Sequence, residues 1–178
     1  AAGKVLMGNF INKFDKEDIL GDVERVGSIL GVEMTSRGSG YTEPPLVAFT
    51  DSCDKGYGAY GEAIIDYNQN SPTFGQVIAV TITSQGEDYP VTEEEDLYIK
   101  EVVIKQPGEG YVEGDEIDGF EICGINSIGG ITCVKTPNNP YRELPRIHFN
   151  VGTGAVLLPI MTKEIPQTEV VQVIDCVT

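Results

Sequence analysis

The sequence predicts an all-β protein assembled from repeated small modules, sandwich-like or elongated, with a short helix or none near the N-terminus. Three observations carry that expectation. Runs of Leu, Ile, Val and Phe are separated by Gly or Pro about every ten residues, the spacing of short strands and tight turns. Segments with the 3.6-residue period of a helix are rare. A turn spelled Gly-x-Gly-Tyr returns along the chain.

Taken in order, residues Ala1 to Asp15 show no clear period. Between Lys16 and Val26, the spacing of Ile19, Leu20, Val23 and Val26 suits a short helix, but Gly21 weakens it, and a strand over Gly21 to Val26 is the alternative. From Leu30 the alternation is regular. Leu30, Val32 and Met34 are expected on one face and Gly31, Glu33 and Thr35 on the other. The turn of Gly38, Ser39, Gly40 and Tyr41 follows, then a second strand after Pro44 and Pro45, the Gly56-Tyr57-Gly58-Ala59 step and a third strand from Val77.

These landmarks recur. Ile78, Val80 and Ile82 repeat Leu30, Val32 and Met34 at a displacement of 48 residues, and Gly86 and Tyr89 repeat Gly38 and Tyr41 at the same displacement. A third copy reads Val102, Ile104, Gly108, Glu109, Gly110 and Tyr111. Between the second and third copies the chain is too short for a full unit and carries Glu93, Glu94, Glu95 and Asp96, expected as a solvated acidic loop. The other half of the unit returns as Pro145, Ile147 and Phe149 for Pro45, Val47 and Phe49. Gly152, Gly154 and Ala155 likewise match Gly56, Gly58 and Ala59, with strands at Tyr60 to Ile65 and Val156 to Met161. Glu169 to Val173 echoes Gln76 to Val80. The expected division is an N-terminal docking segment over 1–28, a first repeat-containing region over 29–112 and a second β region over 113–178. Ala1 in place of Met leaves initiator removal or excision from a longer chain, and the unit interrupted at Thr178 favours excision.

Glycine reaches positive φ at little cost, so two glycines one residue apart let the chain reverse sharply. The rings of Tyr41, Tyr89 and Tyr111 are expected to lie across those glycines as braces, with their hydroxyls near water. Their other reading is a tyrosine-lined surface for sugars.

Composition narrows the function. Among 178 residues, 28 are acidic and 12 basic, a formal charge of −16, which disfavours nucleic-acid backbones and suits a crowded or salty assembly environment. No apolar run approaches the ~20 residues that cross a bilayer, so no membrane partner is expected. The four cysteines, Cys53, Cys123, Cys133 and Cys176, lack zinc-ligand spacing, and no metal or cofactor is expected. Thiols kept reduced in a cytoplasm are the main reading. A hairpin turning at Asn126 to Gly130 would instead set Cys123 opposite Cys133 for a disulfide.

Reaction chemistry is hard to find. The one histidine, His148, sits between Ile147 and Phe149 on a presumed strand and is expected to point away from the face they bury. Asp115, Glu116, Asp118 and Glu121 are close in sequence, but in so acidic a chain such pairs arise by chance, and a glycan-cleaving carboxylate pair or a Ca²⁺ loop is the lesser reading. Gly56 to Gly61 spells a dinucleotide fingerprint without a helical period after it.

The succession of Val-x-x-Val-x-Ile-like strand, Gly-x-Gly-Tyr, Pro-Pro and Gly-x-Gly-Ala resembles repeats of virion structural proteins from tailed phages, particularly T4-like myoviruses of cyanobacteria. Gly110, Tyr111, Gly114 and Asp115 resemble the variant Gly-Tyr-x-x-Gly-Asp. The resemblance covers most of Leu30 to Val173 and implies a non-enzymatic tail, neck, baseplate or fibre component. It further implies assembly in the host cytoplasm into the virion, with other virion proteins as partners and a symmetric homo-oligomer, often a trimer. Two departures stand out: Glu87 and Asp88 replace Ser-Gly in one turn, and Ala1 to Val26 lacks the repeat, suggesting an adaptor. A carbohydrate-binding adhesin or receptor-recognition module is the alternative.

Overall fold

The computed structural model describes residues 1–14, 23–91 and 94–165. The expected helix over Lys16 to Val26 falls partly, and the echo at Glu169 to Val173 wholly, outside them. The described residues contain no helix and form small antiparallel sheets, so the chain is all-β.

Ten strands follow one another: β1 (Ala2–Phe14), β2 (Val23–Ser36), β3 (Tyr57–Ile65), β4 (Val77–Glu87), β5 (Tyr89–Pro90), β6 (Tyr98–Gln106), β7 (Glu116–Ile117), β8 (Phe120–Ile125), β9 (Ile131–Lys135) and β10 (Val156–Thr162). Hydrogen bonding orders them as β1-β2-β5, β3-β4, β10-β6 and β7-β8-β9.

Three of these ribbons share one irregular register. In β1·β2 the pairing slips between Ala2 and Gly3 and again between Leu6 and Met7. In β3·β4 it slips between Tyr60 and Gly61 and between Ile64 and Ile65. In β10·β6 it slips between Val156 and Leu157 and between Ile160 and Met161. Each slip is a β-bulge that leaves one residue of the partner strand unpaired and reverses which face the following side chains take. The segment expected to be an adaptor without repeat character is therefore the first strand of a repeated ribbon. Both unpaired residues, Thr35 and Leu30, lie on β2, so these bulges break the alternation of β2 and not that of β1.

The same device corrects the expected faces of β2. The unpaired residue at its second bulge is Leu30, which is fully buried in one core while Ile29, Val32 and Met34 face another. The first core, around Ile29, Val77, Val80 and Tyr89, belongs to β1 to β5. The second, around Ile99, Tyr111, Ile122 and Ile131, belongs to β6 to β10, with Leu6 and Leu30 reaching into it. Strand β2 is the wall between them.

The boundaries expected at residues 28 and 112 do not follow this architecture. The first falls inside β2, and the second separates β6 from β10, its hydrogen-bonded partner about 50 residues later. The strands expected after Pro45 and Pro145 are also absent, apart from an isolated bridge between Leu46 and Glu62. Proline supplies no N–H for a ladder, and both segments run as irregular extended chain beside their ribbons.

β7 and β8 join through Asp118 and Gly119, both at positive φ (53° and 85°), the two-residue hairpin turn for which Asp-Gly is suited. β8 and β9 reverse at Asn126 to Gly130 and are stapled by a disulfide between Cys123 and Cys133, with Cα atoms 5.0 Å apart. Those two cysteines are thus not the free thiols of the reducing-cytoplasm reading, whereas Cys53 is free and exposed. Closing so short a loop restricts the unfolded chain by about 2–3 kcal/mol. Reduction should therefore lower Tm by about 5–10 °C, measured by thermal melts with and without a phosphine reductant, and Cys123→Ser should reproduce that shift without the reductant.

The acidic loop is less solvated than expected. Glu94 pairs with Arg25 and Arg142 at 3.5 Å each, Asp96 with Arg142 at 3.1 Å and Glu95 with Lys163 at 2.7 Å. These pairs are exposed, each adding little stability but tying the link between the two cores to β2 at Arg25 and to the chain at Arg142 and Lys163.

Candidate functional site: interlocked glycine–tyrosine turns

The sequence-predicted residues converge on three turns of one geometry. Gly38 and Gly40 have φ of 62° and 77°, and Gly108 and Gly110 have 66° and 74°. In the turn with a departure, Gly86 has 66° and Asp88 has 64°, so Asp88 adopts the glycine conformation. Aspartate tolerates the left-handed region better than most residues, and the departure leaves the turn intact.

Around Tyr111 the reason for each glycine is visible. The ring packs on the backbone of Gly152 and Gly108, where any Cβ would collide with it. Phe149 meets the same ring edge-on, with centroids 6.5 Å apart. Glu109 and Thr153 exchange backbone hydrogen bonds of 2.9 and 3.0 Å. Finally, the Tyr111 hydroxyl accepts a bond from the Ala155 backbone N–H at 3.1 Å. Tyr89 repeats the arrangement: its ring lies on Gly56 and Gly86, Tyr57 pairs with Glu87, and the Ala59 N–H donates to its hydroxyl at 3.4 Å. Gly-x-Gly-Tyr and Gly-x-Gly-Ala, noted separately in the sequence, are thus two halves of one clasp. Each hydroxyl thus gives a half-buried alanine N–H its acceptor, a role beyond the expected contact with water.

A second layer of contacts links the ribbons. The chain entering β4 docks on the first turn, with Tyr41 N–H donating to the Gly75 carbonyl at 2.9 Å and Val77 N–H to that of Arg37 at 3.1 Å. The chain entering β9 does the same on the third, through Tyr111 to Gly129 at 2.9 Å and Ile131 to Pro107 at 2.8 Å. The second turn sits on β2, where Tyr89 pairs with Gly27 and the Ser28 hydroxyl donates to the Gly86 carbonyl at 2.9 Å. Tyr141 and Leu97 make a related reciprocal pair of 3.0 and 2.6 Å. Gly27 and Gly75 were not singled out from the sequence, because no tyrosine follows them to mark the motif, and Gly129 was read only as part of the hairpin turn at Asn126 to Gly130.

Electrostatics hold the clasp entrance. The Asp51 carboxylate accepts from the N–H groups of Gly56 and Cys53 at 2.7 Å each and of Lys55 at 3.3 Å, and the bond from Gly56 is the main reason its pKa lies below the ordinary 3.8. Across the clasp the Tyr57 hydroxyl donates to Glu87 Oε1 at 2.6 Å, and that bond pushes its pKa up from 10.0 to about 12. Since the folded chain holds this proton more tightly than the unfolded chain, the contribution is complete below pH 10 and is lost between about pH 10 and 12. A phenolate absorbance titration of the wild type minus Tyr57→Phe should show one group ionising near pH 12; a midpoint at 10.0 would mean that the Glu87 bond is not made in solution.

The remaining candidates are dispersed. His148 is exposed, with Ile147 buried beside it, and lines an open hollow of about 420 Å³ with Arg146 and Gln85 but with no carboxylate, serine or thiol. Glu116 and Glu121 face each other across β7 and β8, Glu121 also pairs with Lys135 at 3.7 Å, and Asp118 shapes the hairpin turn. Among the described residues no three His, Cys, Asp or Glu side chains are placed to hold a metal ion. Tyr89 and Tyr111 are buried, so the exposed phenol rings are Tyr57, Tyr60 and Tyr67.

Fold and site together define an all-β protein of bulged antiparallel ribbons, two of them locked by a glycine–tyrosine clasp, with neighbouring segments docked on the turns. No family model, curated protein or solved structure matches the chain.

Proposed function

We propose that this protein is a structural component of a tailed-phage virion, a tail, neck, baseplate or fibre part acting through assembly with copies of itself and with other virion proteins. The observation that carries the reading is the ribbon architecture. The ribbons complete one another through backbone contacts at shared turns, and several present strand edges on whose outer side little or nothing pairs among the described residues. Such edges are an aggregation hazard on a solitary chain and are covered in symmetric assemblies. Exposed apolar side chains accompany them: Val5 and the wholly exposed Leu46 line one groove, and Val112, Ile128 and Val151 surround the Tyr111 turn. The disulfide suits a particle that leaves the reducing cytoplasm.

The adhesin alternative is weakened at two of its three rings, since Tyr89 and Tyr111 are buried within clasps and Tyr41 is half-buried. Two measurements test the assembly reading. Light scattering should show a defined oligomer that forms as concentration rises, and electron microscopy of phage particles labelled with antibody against this chain should place it at a discrete position. A monomer at all concentrations together with unlabelled particles would overturn it.

A further inference from the structure

The segments after Pro45 and Pro145 hold equivalent places in the repeat, since Pro45, Val47 and Phe49 correspond to Pro145, Ile147 and Phe149 at a displacement of 100 residues. Each borders a hollow that also touches a turn tyrosine, Tyr41 in one case and Tyr111 in the other. The ribbon strand beside each hollow matches as well. Gly3 and Val5 follow the first bulge of β1 as Leu157 and Pro159 follow that of β10, and each pair lines its own hollow. The two hollows differ at the alternate positions of the segment. Leu46 and Ala48 line the first, whereas their equivalents Arg146 and His148 line the second.

The second hollow thus gathers donors without an acid to receive them. Arg146 and His148 are exposed, and neither side chain makes a hydrogen bond or ion pair among the described residues, whereas Arg25, Lys105, Lys135 and Arg142 all sit against carboxylates. From β4, Gln85 supplies a third donor. Its Oε1 accepts from Asn9 Nδ2 at 2.7 Å, which leaves the Nε2 hydrogens without a partner among the described residues. No Asp or Glu of the described residues lines this hollow, and its walls are apolar at Tyr111, Phe149 and Leu157.

We propose that this hollow binds a small organic anion, a single carboxylate carried on an apolar or ring-shaped body. The Arg146 guanidinium would take the carboxylate through its paired N–H groups, whose planar fork matches two carboxylate oxygens. His148 and Gln85 would donate to the remaining lone pairs, and the body would lie against Tyr111 and Leu157. A volume of about 420 Å³, mostly apolar walls and a few convergent polar groups are the features of a small-molecule site. Charge selects a monoanion. One permanent cation serves one negative charge, and a chain of formal charge −16 repels a dianion more strongly. This goes beyond the virion reading and does not depend on it.

His148 is the one histidine of the chain, so its imidazole proton resonances report on the hollow directly. Titration of the 178-residue protein with benzoate at fixed pH should move them saturably, with half-saturation at about 1–10 mM. Benzyl alcohol, which keeps the ring and lacks the charge, and inorganic phosphate, which has the charge and lacks the ring, should each bind at least about tenfold more weakly. Arg146→Leu, which copies the repeat-equivalent Leu46, should weaken benzoate by about tenfold or more. Lys100→Ala removes a cation that lines a different hollow and should leave benzoate binding unchanged. A response that does not saturate, benzyl alcohol or phosphate binding as tightly as benzoate, or equal weakening by the two variants would overturn the proposal.

Discussion

Gly108→Ala is expected to destabilise the protein by about 3–5 kcal/mol, combining left-handed strain with forced repacking. The residue sits at φ 66°, and its new methyl would collide with the Thr153 carbonyl, the Ala155 nitrogen and the Tyr111 ring. Two of those obstacles are backbone atoms of the opposing half of the clasp, which cannot rotate away. Gly40→Ala is the internal control. Its φ of 77° imposes similar strain, but its Cβ meets open space. That variant should lose only about 1 kcal/mol once the reduced freedom of the unfolded chain is counted. Urea unfolding with an unchanged slope should separate the two by more than a molar unit of midpoint, about what 3 kcal/mol implies. Equal losses would mean that the turn alone, and not the clasp, sets the cost.

Tyr111→Ala should cost about 3–5 kcal/mol, the range for truncating a buried aromatic side chain. It uncovers Gly108 and Gly152, removes the edge-on partner of Phe149 and leaves the Ala155 N–H without its acceptor. Tyr111→Phe isolates the last of these effects and should cost about 1–2 kcal/mol. Tyr89→Phe should cost less, because the corresponding Ala59 bond is 3.4 Å rather than 3.1 Å. Substituting exposed Tyr60 by alanine should stay within about 0.5 kcal/mol. Amide exchange at Ala155 and Ala59 gives an independent reading, since each hydroxyl loss should speed exchange at its own alanine only.

The turns were the most legible part of the sequence. Positive φ is a local demand that glycine meets cheaply, so Gly38, Gly86 and Gly108 advertise it wherever they occur. Strand material at Val77 and Val156 was legible for the same local reason, in apolar spacing. Ala2 to Gly8 was not, because what makes it part of the repeat is its pairing with Ser28 to Ser36, which leaves no mark in its own spacing. Nor was Leu30's place in the second core, since a single unpaired residue in β2 decides it. The carboxylates of 94–96 read as a solvated loop because Arg142, which pairs with two of them, lies far along the chain.

By itself, then, the sequence determined that this is an all-β protein, and that a tyrosine braces the turns at Gly38, Gly86 and Gly108. These are properties of neighbouring residues, governed by backbone sterics and short-range periodicity. Tertiary structure alone decided that β6 pairs with β10 across the intervening β7-β8-β9 sheet, that Gly-x-Gly-Tyr closes on Gly-x-Gly-Ala, and that the tyrosine hydroxyl accepts from an alanine N–H. Those outcomes follow from satisfying buried backbone groups and filling two cores at once. That is a condition on residues brought together by folding and leaves no mark in local spacing.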